Sequence, residues 1–330
     1  MVDPLQPGLW RYQAWLPLDP AWEPVSLGEG NTPLLPVEWA GPQCLIKLES
    51  LAPTGSFKDR GTAVLVTALR GLGIERVVED SSGNAGASLA AYAANAGITC
   101  EICVPDTAAG PKVAQMTAYG AEVIQIRGKR GYAALAAWAA AAHGAYYASH
   151  VYNPFFLAGT ETVAYEMWEQ LQGTAPAAVV VPVGNGTLLL GAYRGFSRLR
   201  QAGLIDRVPR VFGVQAAACP PIYEAFRQGL DAVQPVPCEA TLAGGIAIAQ
   251  PARGRQVLAA VRDTGGAVLA VQEETIGPAR LALAQRGFHV ENTSAVAFAV
   301  LPAMAEAYLS PGEGPVAILL TGHGLKTCPH

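Results

Sequence analysis

The chain has 330 residues, 51% of them apolar and 15% charged, with a net charge of −4. That length allows two packed domains with a sizeable core, and the absence of any basic run argues against a nucleic-acid partner. Residues 1–15 lack the segments of a signal peptide and the longest alanine-rich stretch, 133–142, is too short to span a bilayer, so a cytoplasmic protein is expected.

Residues 1–40 are rich in proline and carry Trp10, Trp15, Trp22 and Trp39, which reads as an irregular arm packed on a core, with 28–34 as a loop. Residues 44–49 read as a strand. The turn Pro53-Thr54-Gly55 follows, then an apolar run at helical spacing from Ala63 to Leu69. From there strands and helices alternate. Strands are expected at 77–79, 100–104, 123–126 and 146–148, and helices at 87–96, 111–119 and 133–142. A longer helix is expected at 160–170, a strand at 178–183 and a helix at 188–200. Three further strands are expected at 211–215, 268–271 and 316–320. Such repeats predict an α/β fold of two open, twisted, parallel-type sheets flanked by helices. The expected division is a larger domain from residues 1–59 and 156–330 and a smaller inserted domain from 60–155.

Of six cysteines only Cys100 and Cys103 have suggestive spacing, and alternation along their strand puts them on opposite faces. Neither the cysteines nor the five histidines show metal-ligand spacing, so buried free thiols and no metal are expected.

Ser56-Phe57-Lys58-Asp59-Arg60-Gly61 is the stretch around which the rest is arranged. Ser56 reads as an N-cap and Asp59 as a shortened capping box, which places Lys58 in the first turn of a helix. A cation there faces the positive end of the helix dipole, an unfavourable placement unless the amine is used. Desolvated at that position, a lysine loses its proton more readily and becomes a nucleophile able to form a Schiff base. A surface lysine near a cap gives the same local pattern.

Three loops follow strands, where open α/β sheets place ligands. Ser82, Gly83, Asn84, Ala85 and Gly86 form a small, amide-rich turn suited to a carboxylate, although an ordinary strand-to-helix loop reads alike. Gly184, Asn185, Gly186, Thr187 and Leu188 can cradle a phosphate. A dinucleotide fold fits less well, because Leu189 stands where a third glycine belongs and Gln215 ends the next strand in place of an acid. Thr321 begins Thr321-Gly322-His323-Gly324-Leu325-Lys326 and offers a hydroxyl that can bond a ring nitrogen without requiring it to be protonated. An imine-forming lysine, a phosphate cradle, a carboxylate cradle and a ring-nitrogen partner are together the needs of pyridoxal 5'-phosphate.

On these motifs, together with Trp10-Arg11-Tyr12, Gly28-Glu29-Gly30-Asn31-Thr32-Pro33-Leu34 and Lys112-Val113-Ala114-Gln115, nearly the whole chain resembles the threonine synthases, in the tryptophan-synthase-β-like group of pyridoxal phosphate enzymes (fold type II). The resemblance implies a homodimer with the cofactor between its two domains, and the conversion of O-phospho-L-homoserine and water to L-threonine and phosphate. It implies that Lys58 carries the cofactor as a Schiff base and shuttles protons. Asn84 would bond the cofactor's phenolic oxygen, Ser82 to Gly86 the substrate carboxylate, Gly184 to Leu188 the phosphate, and Thr321 the pyridine nitrogen. One departure stands out. Phe156 occupies the place of an arginine that grips the substrate phosphate in the family, and Thr160-Glu161 replaces a Gln-Lys pair. His150, Lys112 and Arg127 are candidate replacements. The departure keeps open a second activity, β-elimination (an ammonia-lyase) or β-replacement on an unphosphorylated amino acid. A nucleotide-dependent oxidoreductase is the reading from another class.

Overall fold

The protein's structure, a computed structural model, describes residues 2–38, 43–108, 110–128, 130–309, 312 and 314–327. Trp39 and Cys328 lie outside the described residues.

In chain order the elements are β1 (Leu34–Val37), β2 (Cys44–Lys47), α1 (Lys58–Gly71), β3 (Arg76–Glu79), α2 (Asn84–Ala96), β4 (Thr99–Pro105), α3 (Pro111–Ala118), β5 (Glu122–Ile126), α4 (Arg130–Ala142), β6 (Tyr146–Tyr147) and α5 (Pro154–Gln170). They continue with β7 (Ala178–Pro182), α6 (Thr187–Gln201), β8 (Arg210–Ala216), α7 (Pro221–Arg227), α8 (Gly254–Asp263), β9 (Val268–Val271), α9 (Glu273–Ala284), α10 (Asn292–Ala299), α11 (Leu301–Tyr308) and β10 (Val316–Leu319).

The chain divides into two units. Unit 1 comprises Met1–Asn31, Leu51–Thr160 and Leu325–His330, and unit 2 comprises Thr32–Ser50 and Glu161–Gly324. This differs from the expected division, because the arm and residues 51–59 group with unit 1. The cause is specific packing: Leu9, Trp10 and Val25 share an apolar cluster with Val64, Leu65 and Leu89. The buried Glu29 carboxylate accepts from Trp10 Nε1 at 2.6 Å and from the Tyr92 hydroxyl at 2.7 Å.

Unit 1 holds a parallel sheet of order β5-β4-β3-β6. Alternation along its strands serves two cores. Val77, Cys100, Ile102 and Val104 point to the side packed by α1 and α2 residues. Val78 and Cys103 pack with Ala133 and Ala137 of α4 on the other. Cys100 and Cys103 are thus free, buried and on opposite faces.

Unit 2 holds a sheet of order β1-β2-β10-β7-β8-β9, parallel except for the antiparallel pair β1–β2. β7 and β10 are buried at every residue, as expected of parallel strands covered on both faces. β1 lies within the stretch expected to be an irregular arm. It is a partly exposed edge strand whose Pro36 is tolerated at an edge. Helices α7, α8, α9, α10 and α11 were not expected from the sequence.

Candidate active site

Unit 1 presents Lys58 at the start of α1. The expected Ser56 cap does not form: the residue before the helix, Phe57, makes no side-chain cap. Asp59 turns back to the preceding loop instead, where its Oδ2 accepts from Thr54 N at 2.7 Å and its Oδ1 from Thr54 Oγ1 at 2.6 Å. Ser88 of α2 donates to the same Oδ1 at 2.6 Å. Lys326 Nζ and Gln115 Nε2 donate to Thr54 O at 2.6 and 3.1 Å. The Lys58 turn is therefore tied from α2, α3 and the C-terminal segment. Burial raises the Asp59 carboxyl to about 6, against the lowering effect of the Ser88 and Thr54 hydrogen bonds and the Lys326 charge.

Lys58 Nζ sits 4.6 Å from the Phe57 ring centroid and 5.6 Å from that of Phe156. Such cation–π contacts contribute about 0.5–1 kcal/mol when exposed and more when desolvated. Phe156 is 1% exposed and seated against α1 at Gly61, where a Cβ would come within 2.7 Å of its ring. The His150 ring meets Phe156 edge-on at 5.9 Å between centroids. His150 follows β6, and both its Nδ1 and its backbone N contact the buried Glu79 carboxylate at the end of β3. Burial and the Lys58 charge hold His150 below its ordinary value, against the pull of Glu79. Of the three candidate replacements for the missing arginine, His150 is the one beside Phe156, while Arg127 is exposed at the end of β5.

Thr160 and Glu161 have structural partners. The Thr160 hydroxyl donates to Leu157 O at 2.7 Å. In unit 2, Glu161 is paired with Arg194 and Arg198 of α6.

The 82–86 loop runs into α2, which begins at Asn84 rather than three residues later. Gly83 precedes it without a side-chain cap, and a Cβ there would meet only Ser81 Oγ, at 3.8 Å. Open space thus lies over backbone amides that have no partner inside the helix. Ser82, Gly83 and Asn84 are partly exposed, while Ala85 and Gly86 are buried. The Asp59–Ser88 bond joins the first turn of α1 to the second turn of α2, so unit 1 brings the N-terminal ends of these two helices, and with them the lysine and the amide-rich turn, to one side.

Unit 2 brings two other loops to the C-terminal ends of neighbouring parallel strands, 183–187 after β7 and 320–323 after β10. Gly186 has φ +91° and leads into α6, and a Cβ there would sit 2.3 Å from Val257 Cγ2. Thr187 and Leu188, in the first turn of α6, are buried. Thr321 is 5% exposed, with its hydroxyl 2.9 Å from Ser294 Oγ. Gln215 is occupied elsewhere: its Oε1 accepts from Ile222 N and Tyr223 N at the start of α7 and its Nε2 donates to Val183 O. It is spent on structure rather than held for a ribose.

Residues 25–322 match the family model described as pyridoxal-phosphate dependent enzyme. The chain belongs to that family. It is 38% identical to a threonine synthase of Methanocaldococcus jannaschii, over 97% of this chain and 80% of the relative. It is 37% identical to a threonine synthase of Mycobacterium bovis, over 96% and 87%. Among solved structures it is similar to a threonine deaminase of T.th., with a TM-score of 0.76 and 27% identity over 90% of this chain and 94% of that one. Maize serine racemase superposes with a TM-score of 0.78 over 89% and 88% at 20% identity, a likeness of fold.

The family's cofactor, pyridoxal 5'-phosphate, fits the residues present in each unit taken separately. In unit 1 an amine stands at a fastened helix start next to apolar rings, with an amide-rich turn open above Gly83. In unit 2 a glycine turn at the start of α6 suits a phosphate, and a buried hydroxyl at the end of β10 suits a ring nitrogen. Sequence reasoning missed Ser294, Glu79 and the Asp59–Thr54 clamp. Ser294 and Glu79 take their meaning from partners distant in sequence, and the local Asp59–Thr54 clamp is completed by the equally distant Ser88 and Lys326.

Proposed function

We propose that the protein is a lyase of threonine biosynthesis, converting O-phospho-L-homoserine and water to L-threonine and phosphate. The likeness to threonine synthases over nearly all of this chain supports this reading, and the observation that carries it is the Lys58 turn, clamped through Asp59 and Thr54. Bound pyridoxal phosphate supplies an electron sink for charge developing at the substrate α-carbon. Lys58 Nζ holds the cofactor covalently and then moves protons at the substrate α- and β-carbons. The backbone amides of Ser82, Gly83, Asn84, Ala85 and Gly86 orient the substrate carboxylate, and the Asn84 side chain holds the cofactor's ring oxygen. Gly184, Asn185, Gly186, Thr187 and Leu188 hold its phosphate, and Thr321 meets its ring nitrogen. We assign the enzyme to the cytoplasm, as a homodimer. Among the described residues no helix is long and apolar enough to cross a membrane.

A second reading has its own observation. The wall beside Lys58 is an apolar Phe156 ring with the Glu79–His150 pair behind it. An aromatic ring cannot make the forked, charge-assisted hydrogen bonds that suit phosphate. β-Elimination or β-replacement on an unphosphorylated amino acid matches that wall. A substrate panel assayed for phosphate and for keto-acid release, with Lys58→Ala as control, decides between them. Phosphate from O-phospho-L-homoserine supports the first reading. Keto acid from serine or threonine with no phosphate release at any concentration replaces it with the second.

A further inference from the structure

In unit 2 a disulfide between Cys219 and Cys238 joins a fixed element to a sparsely bonded one. Cys219 follows β8 and is 1% exposed, and its backbone N donates to Ala216 O at 3.0 Å. Cys238 is exposed and lies in the irregular stretch between α7 and α8. Among the described residues, 232–238 make no hydrogen bond. The next ties are Glu239 N to Ala218 O at 2.8 Å and Leu242 N to Glu273 Oε2 at 2.9 Å. The same stretch then covers the glycine turn after β7. A Cβ on Gly184 would come within 3.2 Å of both Ile246 Cα and Ile248 Cγ1. Ala252 N donates to Asn185 Oδ1 at 3.3 Å. Disulfides are rare in a reducing cytoplasm, and those found there are mostly transient or redox-sensing. Exposed disulfides are also the more readily reduced ones.

We propose that Cys219–Cys238 is a thiol–disulfide exchange site for a dithiol reductant, and that its redox state sets how firmly the 184–188 turn holds a phosphate. The proposal rests on the reading above, both for the cytoplasm and for a cofactor phosphate at this turn. In the exchange a reductant thiolate attacks Cys238 Sγ. The sulfur–sulfur bond breaks and leaves its electron pair on Cys219 Sγ, which takes up a proton. The reductant's second thiol attacks the mixed disulfide and releases Cys238 as a thiol. Two electrons and two protons have then passed to the protein, and the reductant leaves as its own disulfide. With the bond open, residues 232–242 keep only isolated hydrogen bonds, and segments with few ties open first. Opening there carries along the residues that lie against Gly184 and Asn185.

Differential alkylation of the native full chain, followed by peptide mass mapping, reads the exchange. Free thiols are blocked first, dithiothreitol is added, and newly formed thiols take a second label. That label is expected on Cys219 and Cys238 without denaturant, and labelling of the pair only in denaturant would overturn the proposal. After removal of the reductant, dissociation constants of the oxidised and reduced chains are measured by absorbance for pyridoxal phosphate and for pyridoxal, which lacks the phosphate. Reduction is expected to weaken pyridoxal phosphate about tenfold, the factor for a turn in its binding form about a tenth of the time, and to leave pyridoxal unchanged. Cys219→Ser/Cys238→Ser should match the reduced wild type whether or not it has met the reductant. Equal affinities for pyridoxal phosphate in the two states, or equal losses for both ligands, would overturn the proposal. Failure of both states to take up pyridoxal phosphate would instead overturn the functional reading beneath it.

Discussion

Lys58 draws attention because of its charge, but the residue that holds it in place is Asp59. Its carboxyl is buried and raised to about 6 in the folded chain, from an ordinary value of 3.8. A folded-state value above the unfolded one means that the fold binds the proton more tightly. The resulting stability is complete below the unfolded value and is lost as pH rises through about 6. Asp59→Asn lacks this titration. The melting temperature of the wild type minus that of the variant is therefore expected to fall as pH rises from about 4 to about 7 and then level off. A difference that grows with pH over that range contradicts the assignment. Lys58 also acts on His150, whose value is held down by burial and then by the Lys58 charge. In Lys58→Ala the His150 ring should titrate at higher pH by histidine NMR, and an unchanged titration would remove the proximity argument. Phe156, 1% exposed and seated on Gly61, is structural as well as wall-forming. Phe156→Ala should cost about 3–5 kcal/mol in denaturant unfolding, and a cost near zero would show that the ring is not packed as described.

Among the elements, those with continuous apolar runs were legible in the sequence. β7 and β10, buried at every position, announce themselves by composition alone, and so do the loops that follow them, because ligand loops follow strands in this class of sheet. The helices from α7 to α11 were not legible. α10 is short and buried on most sides, polar Asn292 and Ser294 included, so it lacks an exposed polar face to mark the helical period. α9 carries Pro278 in its interior, which reads as a break. Ser56 was misread as a cap because the sequence shows which residues are near in the chain, while Asp59 found its donors in Thr54 and Ser88. The disulfide between Cys219, after β8, and Cys238, in the irregular stretch between α7 and α8, gave no sequence signal at all. That stretch leads to Gly245 and Ile246, which pack on Gly184 of the glycine turn after β7. The disulfide spans 19 positions, and closing a loop of that size contributes about 3 kcal/mol by restricting the unfolded chain. Dithiothreitol should therefore lower the melting temperature of the wild type and leave that of Cys219→Ser/Cys238→Ser unchanged. Equal shifts in both would exclude this role for the bond.

At the scale of the molecule, one α/β unit carries an amine at the start of α1 and an amide-rich turn after β3, and the other a glycine turn after β7 and a hydroxyl after β10. The sequence made both sets legible as motifs, since small residues and glycines cluster where a backbone must lie open to a ligand. It did not show what fastens them, because the bonds of Ser88 to Asp59, of Lys326 to Thr54 and of Ser294 to Thr321 join segments far apart in the chain. Nor did it show that the arm belongs with residues 51–160, which follows from Glu29 bonding Trp10 and Tyr92. The functional account depends on one amine being the attachment point of the cofactor. Borohydride reduction of the pyridoxal-phosphate-loaded protein, followed by peptide mass mapping, tests this directly. The account predicts a single stable phosphopyridoxyl group on Lys58, with none found in Lys58→Ala. A reduced cofactor on any other lysine, with Lys58 unmodified, would contradict it.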